Sequence, residues 1–254
     1  MKLATVLWKF NFHFLRLFIV PTIRLLMNYT VEFEGKLPRQ RPLVLAPVHR
    51  SAVDMYAVAA VAGEFIAFVS TDAFGHGRIA NRVQHLLTTL LGSIVWPESH
   101  KVSARAKAVT LARDVDRRLD SGLILGIFVQ GEYQPDSVET VEEGLVGLVK
   151  RYENRKTKLD ASYHPTPIIP VGISYESPEG GLVQSKFANW LSKYVPLFPS
   201  WTAPARGTKI TVRFGEPTHV ANARTTELSN NLMRDAAALS GIPFRKYSEV
   251  PNHD

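Results

Sequence analysis

Short unbroken apolar runs alternate along this chain with longer segments in which apolar and charged positions recur every three or four residues. The runs PLVLAP (42–47), FIAFVS (65–70), LILGIFV (123–129) and TPIIPVGISY (166–175) have strand length and no polar face, the pattern of strands buried on both sides in a parallel sheet. TVEFEG (30–35) alternates, SIVWP (93–97) is short, and TKITVRFGEPTHV (208–220) supplies a further strand. Between them, MYAVAAVAG (55–63), RIANRVQHLLTTLLG (78–92), SARAKAVTLARDVDRRLDSG (103–122) and TTELSNNLMRDAAALSG (225–241) have helical spacing, and each closes on a Gly. Strand and helix in repeated alternation predict an α/β fold: a single domain over 30–254 with a largely parallel central sheet flanked by helices. Segment 176–207 breaks the alternation. It mixes Trp190, Tyr194, Phe198 and Trp201 with Lys186, Lys193 and Arg206, and reads as a surface insertion, a lid or a membrane-contacting patch.

Residues 1–29 follow a different pattern. Lys2, Lys9 and Arg16 are seven apart and fall on nearly one line of a helix, with His13 beside it, while the positions around that stripe are mostly apolar. Charges at Lys9, Arg16 and Arg24 interrupt every window long enough to cross a bilayer, and no small-residue cleavage site follows. A cationic stripe on an apolar helix suits the plane of a membrane interface, so this segment is expected to be amphipathic and membrane-contacting. The alternative is a helix packed on the protein's own core. Pro21 predicts a kink that divides the segment into two helices.

Composition narrows the function. The chain has 254 residues, 45% apolar and 21% charged, which is globular composition. It has no cysteine, which excludes thiolate catalysis and Cys-ligated zinc. A net charge of +7 suits an anionic partner, yet no basic run or aromatic–basic interleaving points to nucleic acid. An acidic membrane face or an acidic acyl carrier fits better.

The polar stretch HRSAVD (49–54) sits between two apolar segments. On one continuous helix, residues five apart diverge by about 140°, so His49 and Asp54 meet only if the chain bends between them. Pro47 ends the preceding strand, Ser51 is a good N-cap, and Ser51 to Asp54 has capping-box spacing. His49 then projects at the carboxyl end of a strand, and Asp54 in the first helical turn reaches back to orient the imidazole as a base. The same two residues also suit a plain loop His and a capping Asp. From position and spacing alone, both readings stand.

The blocks HRSAVD, GSIVWPES (92–99), FVQGEY (128–133) and IIPVGI (168–173), in that order, resemble the four motif blocks of the lysophosphatidic acid acyltransferase family, the PlsC-like glycerolipid acyltransferases. The resemblance spans about residues 30–220 and is anchored by H-x4-D with its Arg50–Ser51 pair. It implies His49 as general base and Asp54 as its orienter. A lipid hydroxyl would attack the thioester of acyl-CoA or acyl carrier protein, with no metal, cofactor or acyl-enzyme. It further implies substrate contacts from Arg50, Ser51, Gln130, Gly131, Glu132, Tyr133 and Pro170, and an oxyanion held by backbone N–H groups near Gly131. It also implies a place at the cytoplasmic face of a membrane. Two departures matter. The family's third block reads Phe-Pro-Glu-Gly-Thr-Arg, so Gln130 replaces Glu and Tyr133 replaces Arg, and Glu98 stands where the second block ends in Arg. Two guanidiniums suited to a phosphate are missing, and the expected acceptor is therefore uncharged or zwitterionic rather than lysophosphatidic acid. Glu132 is the candidate for the missing carboxylate. Arg78, Arg82, Lys101 and Arg105 are alternative phosphate grips, and a non-catalytic lipid-binding protein is the alternative function.

Overall fold

The computed structural model describes residues 3–51, 53–71, 92–96, 103–186, 203–220 and 223–245. In chain order the elements are α1 (Leu3–Met27), β1 (Thr30–Glu34), β2 (Leu43–Pro47), α2 (Asp54–Ala62), β3 (Ile66–Thr71), β4 (Ile94–Trp96), α3 (Ala104–Asp120), β5 (Ile124–Gly126), α4 (Glu143–Leu159), β6 (Ile168–Glu176), β7 (Lys209–Phe214) and α5 (Thr225–Ser240). The strands form one sheet in the order β1-β7-β6-β2-β5-β3-β4. Neighbours are parallel except β6 and β7. The expected α/β architecture with a largely parallel sheet is therefore present. β2 lies between β5 and β6 and is buried along its whole length, which is why its sequence has no polar face.

Several boundaries moved for physical reasons. The strand expected over 123–129 pairs only over Ile124–Gly126, because the chain turns at Phe128, whose carbonyl accepts from the N–H of Gly131 at 3.0 Å. The strand expected over 208–220 stops at Phe214; Gly215 then donates to Pro170, and Thr218 bridges back to Ile168. Helix α4 has no counterpart in the sequence reading, although Leu145, Val146, Leu148, Val149 and Tyr152 carry the helical period and Val146, Val149 and Tyr152 are buried. The helix expected over 78–92 lies, apart from Gly92, outside the described residues, as do Trp190, Tyr194, Phe198 and Trp201. The two ends of the 176–207 segment meet at a bridge between Gln184 and Pro204.

At the N-terminus the division into two helices is corrected: α1 runs unbroken from Leu3 to Met27 with Pro21 inside it. A proline removes one amide donor, and the turns on either side keep theirs. One face of α1 docks on the protein. Trp8 and Phe12 pack on a small cluster of Phe65, Ala67 and Leu123, with Phe12 edge-on to Phe65 at 5.5 Å. The Arg118 guanidinium lies 3.8 Å over the Trp8 ring and donates to Gly92 O at 3.3 and 3.2 Å. Its burial pulls Arg118 down to about 10. Leu7, Phe10, Phe14 and Leu17, at helical spacings of three and four, are exposed on another face. Lys9 and His13 are exposed as well. No described helix is long and apolar enough to cross a membrane.

Candidate active site

The bend between His49 and Asp54 forms. After Pro47 the chain leaves β2, with Val48 N–H still bonded to Val171 O at 3.1 Å, and Asp54 N–H closes a turn onto Ser51 O at 3.1 Å. This places His49 Nδ1 3.0 Å from Asp54 Oδ2. The same oxygen accepts from Arg50 N–H at 2.5 Å and Ser51 N–H at 2.7 Å. Only half of the expected capping box is made. Asp54 reaches back to the Ser51 amide, but the Ser51 hydroxyl meets Val53 N–H at 3.4 Å, and the residue that caps α2 is Val53, with no side-chain bond. Three N–H groups converging on one carboxylate oxygen draw 49–51 into a tight loop and set the helix start at Asp54 instead.

Asp54 is fully buried. Its other oxygen, Oδ1, accepts the hydroxyl of Tyr175. All four of these partners are placed to donate, so the arrangement calls for an acceptor-only carboxylate, and His49 then carries its proton on Nδ1 and presents Nε2 as the basic nitrogen. A buried anion needs compensation. Arg50 supplies part of it from inside the wall. Its Nε donates to Pro135 O at 2.6 Å and Nη1 to Ile173 O at 3.0 Å, and its guanidinium lies 5.5 Å from the Tyr175 ring centre. Burial lowers the Arg50 pKa, with Tyr175 and Asp54 opposing the fall.

The imidazole is held in a sandwich of rings. His49 stacks on Phe128 at 4.2 Å, meets Tyr133 edge-on at 5.2 Å, and Phe128 in turn stacks on Phe68 at 5.6 Å. Gly126 makes room for this stack: a Cβ there would sit 2.4 Å from the Phe68 ring. Gly126→Ala is accordingly expected to push the Phe68–Phe128–His49 column out of line. Catalysis should fall by about tenfold or more, since small misplacements of a reacting group are costly. Overpacking should reduce stability by about 1–3 kcal/mol. Steady-state rates alongside thermal unfolding check this; a fully active, equally stable variant would show that the column does not position the imidazole.

The remaining expected residues are placed as follows. Gln130 is buried and its Oε1 accepts from the backbone N–H of His49, joining the turn after β5 to the loop after β2; its Nε2 has no partner among the described residues. Gly131, in the left-handed region at φ +73°, commits its own N–H to Phe128 O, so that amide is not the oxyanion donor. Glu132 is exposed and accepts from Thr140 Oγ1 at 3.1 Å, while Tyr133 lies against the imidazole. Ser51 is fully buried. Pro170 is buried within β6 opposite Ala46. Two residues on, Gly172 lets the backbone of β6 approach α5 closely: a Cβ there would lie 2.3 Å from Leu239 Cβ. Glu98, Arg78, Arg82 and Lys101 lie outside the described residues, and Arg105 is exposed on α3. Tyr175 and Phe128 were not singled out as site residues, though a polar-tipped aromatic two positions from buried Ile173 on a central strand was the available signal for Tyr175.

The site thus gathers at the carboxyl ends of three adjacent strands, β5, β2 and β6. A family model described as Acyltransferase matches residues 28–174. No curated protein matches the chain in sequence. Among solved structures, the crystal structure of the 1-acyl-sn-glycerophosphate (LPA) acyltransferase PlsC from Thermotoga maritima is similar in fold, with a TM-score of 0.53 at 14% identity, covering 92% of this chain and 93% of that one.

Proposed function

The chain belongs to the acyltransferase family, and on that premise we propose that it transfers a fatty acyl group from acyl-CoA or acyl carrier protein to a hydroxyl of a membrane lipid. The observation that carries this reading is the 3.0 Å contact between His49 Nδ1 and Asp54 Oδ2 at the carboxyl end of a central strand. His49 Nε2 takes the proton of the acceptor hydroxyl as its oxygen attacks the thioester carbonyl. The tetrahedral adduct collapses, the C–S bond breaks, and the leaving thiolate takes the proton from Nε2. Asp54 keeps its charge throughout and stabilises the imidazolium. The reaction needs no resident cofactor, and the thioester is a co-substrate.

The acceptor is an uncharged or zwitterionic lipid. Tyr133 offers an aromatic edge where the resembled motif has a guanidinium, and Gln130 is engaged with the His49 backbone. Incubation with membrane lipid extract and a long-chain acyl thioester, followed by mass spectrometry, tests the reading. One lipid class gaining an acyl chain is the expected result. Gain by lysophosphatidic acid alone would overturn the acceptor assignment, and lipid binding without any thioester turnover would leave a lipid-binding protein in its place.

The transfer takes place at the cytoplasmic face of a membrane, with α1 lying in the interface. The exposed Phe10 and Phe14, stacked at 6.3 Å, face away from the Trp8–Phe12 docking contact, and a net charge of +7 suits an anionic leaflet. Replacing both phenylalanines by Asp removes two rings from the bilayer, each worth about 1.5–3 kcal/mol. Binding to anionic vesicles, read by sedimentation, is expected to weaken by about 10²–10⁴-fold. Undiminished binding would remove α1 as the contact.

A further inference from the structure

Tyr175 lies one residue beyond the stretch that the family model matches, and the spacing of His49 and Asp54 does not call for it. It projects from β6, is buried, and donates to Asp54 Oδ1, the oxygen that His49 does not use. Without it the carboxylate would be gripped on one side only. The three donors on Oδ2 come from the loop at 49–51, and the final side-chain torsion of an Asp is intrinsically broad. A fourth donor, arriving from the sheet on the opposite oxygen, stops that rotation. Burial, and then the negative charge of Asp54, push Tyr175 well above the usual tyrosine range. The phenol therefore keeps its proton and remains a donor throughout the neutral pH range. Arg50 ties the same strand to the loop through Ile173 O.

We propose that Tyr175 is a positioning residue for acyl transfer: its O–H locks the rotation of the Asp54 carboxylate and, through it, the tautomer and ring plane of His49. The proposal rests on His49 acting as the base. No proton leaves Tyr175 during the reaction. The hydroxyl acts by holding Asp54 from the sheet side, beside buried Ser51, and it touches no substrate.

Tyr175→Phe keeps the ring and its packing against Arg50 and deletes the hydroxyl, with its bond to Asp54 Oδ1 and its contact with Ser51. Loss of one bond to a charged group is expected to lower kcat by about tenfold while KM for thioester and acceptor stays within about twofold. The Nδ1–H resonance of His49, read by NMR on 15N-histidine-labelled protein, is expected to move as Asp54 loses its second grip. In an Asp54→Asn background the same change is expected to cost less than about twofold, because the positioned group is already gone. An unchanged kcat, or a lower kcat with an unmoved His49 resonance, would overturn the proposal. So would a full additional tenfold loss in the Asp54→Asn background. The resonance needs no substrate, so a protein that turned over no thioester would still report on the link from Tyr175 to His49. Should the phenylalanine variant not fold, placing 3-fluorotyrosine at position 175 alone, with Tyr133 against the imidazole left as it is, strengthens the same donor. It is then expected to move the resonance in the opposite direction, and an unmoved resonance again overturns the proposal.

Discussion

His49→Ala is expected to abolish acyl transfer, lowering kcat by about three orders of magnitude or more, because no other described side chain occupies its place as proton acceptor. The fold should survive. His49 is a loop residue with its side chain 16% exposed, and Asp54 Oδ2 keeps its bonds to the amides of Arg50 and Ser51 when the imidazole is gone. The stacking contact with Phe128 is lost, which sets the stability cost at about 1–2 kcal/mol. Thioester consumption measured beside circular dichroism separates the two effects. A folded variant with full activity would end the assignment of His49 as base.

Asp54→Asn should be nearly as damaging to the reaction and far more damaging to the fold. The carboxylate receives four donors, from His49, Arg50, Ser51 and Tyr175. A carboxamide presents an N–H2 group to one side of that ring of donors, so at least one pair becomes donor against donor. The control of the His49 tautomer is lost with it, and by analogy with other carboxylate–imidazole pairs kcat is expected to drop by about 10²–10⁴. Buried Arg50 also loses the favourable charge of Asp54. Together these leave unpaired buried groups worth about 2–5 kcal/mol. Denaturant unfolding and steady-state rates measure both. A variant as stable as the parent would mean that the four-donor arrangement does not support the native state.

The local part of this site was legible because local physics builds it. Pro47 ends a buried strand, a polar stretch follows, and an Asp five residues on can return to a His only across a bend. The boundaries that sequence missed are those set by distant partners. LILGIFV has strand composition throughout, yet it leaves the ladder after Gly126 because the turn at Phe128 must carry Gln130 to His49. The helix at Glu143–Leu159 is legible in its apolar period, which recurs every three or four residues from Leu145 to Tyr152. Gly172 reads equally well as a gap for a ligand or for a helix; only the packing of Leu239 distinguishes them.

Taken alone, the sequence determined the alternation of buried strands and amphipathic helices, the α/β class, the H-x4-D pair and the cationic, aromatic character of the first helix. Those properties depend on residues within a few positions of one another, so periodicity and turn chemistry encode them. The tertiary structure alone decided that Gln130, 81 residues from His49, holds its backbone, and that Tyr175, 121 residues from Asp54, closes the far side of its carboxylate. The strand order β5-β2-β6 brings those side chains together. That order is a property of how the whole sheet buries its apolar faces, and no short stretch of the chain carries it.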